Sequence, residues 1–162
     1  MTCVLQSAAL RLTLSVVCGL ACLSQRAVAG DLPDNTATGL FLPKGGVPIA
    51  LTSAAAFIDE KDSRGPIILI LSDKKLPAEK WTSEFDLMRA HPEFSGVLFW
   101  IDKDGGVFRT DVYVAGRQSS VSGYFELKLT GPMGKDLTGT AKASEPVGDG
   151  PRLDVTFHAK LK

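Results

Sequence analysis

Two stretches of strict two-residue alternation constrain the fold more than any other feature of the sequence. From Val121 to Leu129, the residues Val121, Gly123, Phe125, Leu127 and Leu129 fall on one side, and Ser122, Tyr124, Glu126 and Lys128 on the other. From Leu153 to Leu161, Leu153, Val155, Phe157, Ala159 and Leu161 oppose Asp154, Thr156, His158 and Lys160. Side chains alternate across a β-strand, so each stretch reads as a strand with one dry and one wet face, which belongs to an antiparallel sheet. Further strands are expected at Thr38–Leu42, Val47–Ile58, Ile67–Ser72, Gly96–Ile101, Val107–Ala115 and Leu137–Ala143. Gly- and Pro-rich turns separate them, at residues 43–46, 62–66, 102–106, 131–134 and 146–151. About eight short strands so spaced predict a mainly β fold, an antiparallel barrel or sandwich; closure into a barrel removes exposed edges.

One segment follows a helical period instead. Pro77–Arg89 places Trp81, Phe85 and Met88 at i, i+4 and i+7; Pro77 suits a first helical position, and His91-Pro92 stops the helix. This predicts one α-helix between the third and fourth strands, laid across a face or end of the sheet. The strand Gly96–Ile101 (GVLFWI) is apolar on both faces and needs a second cover, supplied by Trp81, Phe85 and Met88, by a ligand or by a partner.

The first thirty residues speak to compartment. Arg11, the apolar run Leu12–Leu23, the polar Ser24-Gln25-Arg26 and the small residues Ala27 and Ala29 have the layout of a secretory signal with cleavage after Ala29. As a helix the run spans about 18 Å, short of a hydrocarbon core of roughly 30 Å, so no membrane segment is expected after cleavage. The expected organisation is a signal peptide at 1–29, a flexible lead at 30–37 and one β-rich domain at 38–162, secreted or periplasmic. Gly19-Leu20-Ala21-Cys22 offers the competing reading of a lipoprotein anchored through Cys22, although Gly19 stands where such signals usually carry Leu.

All three cysteines, Cys3, Cys18 and Cys22, precede that cleavage point. The expected mature chain therefore has no catalytic thiol, thiolate metal site or disulfide, and is long enough to rely on its hydrophobic core. The whole sequence balances 18 Lys and Arg against 18 Asp and Glu, which predicts no attraction to nucleic acid.

Sites of chemistry are sparse. The sequence has no G-x-S-x-G elbow, no H-E-x-x-H helix, no phosphate loop and no dinucleotide fingerprint. Asp102-Lys103-Asp104-Gly105-Gly106 opens like a calcium loop but lacks the late bidentate Glu, and Asp-Gly is what a hairpin turn requires. His91 and His158 are a helix-end residue and a wet-face strand residue, or, if folding unites them with a carboxylate, a metal site. Arg109, Asp111 and Tyr113 share one strand face, as do Tyr124, Glu126 and Lys128. If those faces meet they form a polar cluster or a carboxylate pair; as separate faces they are ordinary cross-strand charges.

Thr38–Leu42, Val47–Phe57, Ile70–Pro77, Leu137–Ala141 and Asp154–Phe157 occur in an order that resembles exported bacterial β-rich domains with no assigned activity. That resemblance implies fold and compartment and no catalytic residue. The functional expectation is an exported, non-enzymatic binding module for a small apolar ligand or a protein partner, with Trp81, Phe85, Phe99 and Trp100 at the site and no metal or cofactor. The alternatives are a hydrolase of envelope or extracellular polymers using Glu126 and Asp111, and a structural or assembly protein of the envelope.

Overall fold

The alternating segments join into one continuous antiparallel sheet. The computed structural model describes residues 32–90, 92–121, 123–143 and 150–162. Its strands are β1 (Thr36–Leu42), β2 (Ile49–Ile58), β3 (Ile67–Ser72), β4 (Gly96–Ile101), β5 (Val107–Val114), β6 (Arg117–Ser120), β7 (Phe125–Leu129), β8 (Asp136–Ala143) and β9 (Arg152–Lys160). A 3-10 turn at Ala78–Lys80 and the helix α1 (Glu84–Ala90) lie between β3 and β4. The strand order is β6-β5-β4-β3-β2-β1-β9-β8-β7. The signal and Cys22 readings, like His91, fall outside the described residues, among which no helix is long and apolar enough to cross a membrane.

The order has two ends, so the sheet is a curled half-barrel and not a closed barrel. Yet its two edge strands are consecutive in the chain. Val121 donates its N–H to Thr110 O and so continues β6, and β7 begins only four residues later at Phe125. Four residues reach at most about 14 Å, so the sheet must curl until its edges nearly face one another. The nine-residue strand expected at Val121–Leu129 is therefore two pieces, broken where Gly123 adopts a positive φ of 72°.

Curling gives the sheet two unlike faces. The concave face closes on itself around Phe41, Leu51, Leu69, Phe99, Leu137 and Phe157. The convex face of β2 to β5 carries Phe57, Ile68, Ile70, Leu98, Trp100 and Tyr113, covered by Leu76, Ala78, Trp81, Leu87 and Phe94. β3 and β4 are covered on both faces, and every residue of each is buried. Unbroken apolar runs are what such strands require.

The cover differs from the expected helix. Trp81 and Leu87 are 6% and 1% exposed, whereas Phe85 and Met88 are 54% and 51% exposed. The helix starts seven residues after Pro77 because Thr82-Ser83-Glu84-Phe85-Asp86 caps it. Asp86 N–H donates to Ser83 Oγ, Thr82 N–H donates to Asp86 Oδ2, and Glu84 N–H donates to Oδ2 of the buried Asp59. That start leaves Trp81 outside the helix, and the Trp81-Phe85-Met88 spacing no longer describes a single face.

One further expectation changes and one holds. Residues 32–35 are not a free lead: Lys160 N–H donates to Asn35 Oδ1, the Lys160 ammonium pairs with Asp34 at 2.5 Å, and β1 begins at Thr36. The Asp102 carboxylate is engaged by its own hairpin, accepting from Asp104 N–H and Gly106 N–H through Oδ1. That is turn chemistry, as the Asp-Gly pair suggested.

Candidate functional site

The described polar and apolar groups converge most densely where α1 meets the β5–β6 hairpin. Arg109, Asp111 and Tyr113 alternate along β5 and so share its convex face, as the sequence indicated. β6 follows through the two-residue turn Ala115-Gly116, both with positive φ (49° and 76°), as tight hairpins require. Its Gln118 and Ser120 stand opposite Tyr113 and Asp111.

Asp111 has no solvent exposure and is held by three donors. Arg109 Nη2 donates to Oδ2 at 2.6 Å, Gln118 Nε2 to Oδ2 at 2.5 Å, and Ser120 Oγ to Oδ1 at 2.5 Å. A buried carboxylate is tolerable only when its lone pairs are so occupied. Arg109 also pairs with Glu84 of α1 at 2.9 Å and lies 4.0 Å from the Trp100 ring centroid. Burial works against its charge, but the hydrogen bond to Asp111 and the fields of Asp111 and Glu84 prevail and raise its pKa. This clamp fixes β6 and α1 to β5.

Beside it runs a groove of about 390 Å³, walled by Leu87, Met88, Pro92 and Glu93 on one side and by Tyr113 and residues 115–118 on the other. Tyr113 stacks on Phe94 with centroids 4.7 Å apart. Its phenol is pushed up to about 12, first by burial and then by the Asp111 and Glu84 carboxylates. The half-exposed Phe85 ring, with Arg89 and Lys61 over it, is also presented by α1. A second groove, more apolar and about 380 Å³, lies at Leu40, Leu42, Pro48, Ala143 and Leu153.

The four expected ligand residues are not brought together. Trp81, from the cover, and Trp100, from β4, are buried in the same convex-face cluster, Phe99 points to the concave core, and Phe85 is on the outside of α1. Phe99 and Trp100 are consecutive in a strand and must face opposite ways. Trp100 is 2% exposed, so it belongs to the fold rather than to a free surface. The faces of Arg109-Asp111-Tyr113 and of Glu126-Lys128 are engaged separately: Asp111 is fully buried and held by Arg109, Gln118 and Ser120, whereas Glu126 pairs with Lys128 at 3.3 Å. Glu126 and Asp111 therefore form no carboxylate pair, and Tyr124 stands in the turn before β7.

Sequence reasoning missed Glu84, Gln118 and Ser120. Compared with protein-family models, curated proteins and solved structures, the chain matches none. Function is read from the geometry itself.

Proposed function

We propose that this chain is an exported, non-catalytic binding module that takes an extended segment of a protein partner along β6, beside the groove under α1. The observation that carries the reading is the edge that β6 leaves unpaired among the described residues. In the antiparallel ladder, Arg117, Ser119 and Val121 turn their main-chain groups toward β5, with Val121 N–H on Thr110 O as the fixed point. Gln118 and Ser120 therefore turn theirs outward, away from the sheet. An added strand satisfies such groups, and neighbouring pockets read its side chains.

The dimensions support one inserted strand. Strands pair at about 4.8 Å, so one strand between β6 and β7 needs them roughly 10 Å apart, within the reach of the link that joins them. The half-exposed Met88 and the cation Arg117 border this groove and suit an apolar or acidic side chain of the partner. The concave face offers less to a small apolar ligand, because Phe41, Phe99 and Phe157 already pack there with no exposure.

Peptides selected on the purified protein from a displayed library provide the test, read by amide hydrogen exchange. Binding is expected to slow exchange at Gln118 and Ser120 and to leave Arg117 and Ser119, already paired with β5, nearly unchanged. Selection of no peptide, or of peptides that protect neither Gln118 nor Ser120, would overturn the reading.

A further inference from the structure

On the convex face of β1, β9 and β8, three segments distant in sequence converge on one point. β9 contributes His158, β8 contributes Asp136, and the turn before β1 contributes Asp34. A ring nitrogen of His158 and one carboxylate oxygen from each of the two aspartates lie within 4.8 Å of one another. His158 stands opposite Thr36 of β1 and Thr138 of β8, so its ring emerges in the middle of a three-strand surface.

The imidazole is oriented from behind. Its Nδ1 lies 2.9 Å from Leu32 O, and a carbonyl can only accept, so Nδ1 carries a proton and, in the neutral imidazole, Nε2 presents its lone pair. Nε2 is fully buried and has no hydrogen-bond partner among the described residues. Its neighbours are Asp136 Oδ1 at 3.5 Å and Asp34 Oδ1 at 3.7 Å. In the neutral imidazole three lone-pair donors face a common centre, an arrangement that repels itself unless a cation, a metal ion or a proton, stands between them.

We propose that Asp34, Asp136 and His158 bind a first-row divalent cation of the zinc class, which staples residues 32–35 to β8 and β9. Bonds of 2.0–2.2 Å in tetrahedral geometry put ligand atoms about 3.4 Å apart, near the two Nε2–oxygen separations. The third edge has room to close, because the Asp34 and Asp136 side chains are half exposed. A mixed imidazole and carboxylate set suits zinc-like ions and gives too few oxygens for calcium. The Leu32 carbonyl behind Nδ1 is the partner that orients ligating histidines in metal sites.

Lys160 is the nearby competing charge. Its ammonium holds Asp34 Oδ2 at 2.5 Å, leaving Oδ1 directed at His158. Three protein ligands leave a further position for water. The described residues contain no cysteine, and the cation would do what a disulfide does elsewhere: link segments more than a hundred residues apart.

Calorimetric titration of the purified protein with Zn²⁺ at pH 7.5 tests this, alongside a long-range ¹H–¹⁵N spectrum of the imidazoles. One site is expected to weaken at least about tenfold in Asp136→Asn and in His158→Gln, to persist in His91→Gln, and to fade as the pH is lowered to 5.5. His158 Nε2 should shift on Zn²⁺ addition while Nδ1 stays protonated. If no titrated site depends on Asp136 and His158, or if Nε2 does not respond, a proton rather than a metal occupies the centre and the proposal is overturned. The spectrum decides even if His158→Gln unfolds.

Discussion

Tyr113 shows how much one residue can report. Folding holds its phenol neutral up to about 12 by burial and by the nearby Asp111 and Glu84 carboxylates. In the unfolded chain a tyrosine ionises near pH 10. The unfolded state therefore loses its proton first as pH rises, and folding stability falls between about pH 10 and 12. Below pH 10 the contribution is fully present; the loss amounts to about 2 to 3 kcal/mol at most. Urea denaturation across this range should show a steeper decline for the wild type than for Tyr113→Phe, and parallel curves would show that Tyr113 is not so held. The clamp around Asp111 was half legible. Alternation placed Arg109, Asp111 and Tyr113 on one face, but nothing in the sequence paired them with Glu84, twenty-five residues away from Arg109.

At the scale of elements, the helix teaches the most. The spacing of Trp81, Phe85 and Met88 was real, but Ser83 and Asp86 capped a shorter helix and rotated Leu87 onto the sheet. Leu87→Ala should cost about 2 to 5 kcal/mol in chemical denaturation, while Phe85→Ser and Met88→Ser should remain within about 0.5 kcal/mol of wild type. Comparable losses at all three positions would restore the Trp81-Phe85-Met88 face. The capping pattern Ser83-x-x-Asp86 was visible in the sequence and outweighed Pro77 as a start signal. β6 escaped notice for a different reason. Arg117–Ser120 is exposed at every residue and has no apolar alternation, because an edge strand away from both cores has no dry face.

The whole molecule consists of two runs of strands joined in the middle of the sheet. β6 to β1 come from the N-terminal part of the described chain and its central hairpins, β9 to β7 from the C-terminal part, and β1–β9 is the hydrogen-bonded seam between the runs. Gly39 sits on that seam with a φ of +153°, and a Cβ there would stand 2.0 Å from Asp154 O. Gly39→Val should therefore abolish cooperative unfolding, as followed by calorimetry or circular dichroism. A variant melting within a few degrees of wild type would show that the two runs do not depend on this seam.

The sequence by itself determined what local chemistry determines. Alternation fixed antiparallel strands, Gly-rich turns separated most of them, and the doubly apolar Gly96–Ile101 announced a covered strand. These signals act within a few residues and survive in any context. Tertiary structure alone decided which strands became edges, that the sheet curls without closing, and which polar residues meet. Asp34 in the expected lead, Asp136 just before an expected strand and the wet-face His158 are unrelated in the sequence and become one cluster because β9 lies between β1 and β8. That pairing depends on the summed burial of both faces of a nine-strand sheet, which no local pattern contains.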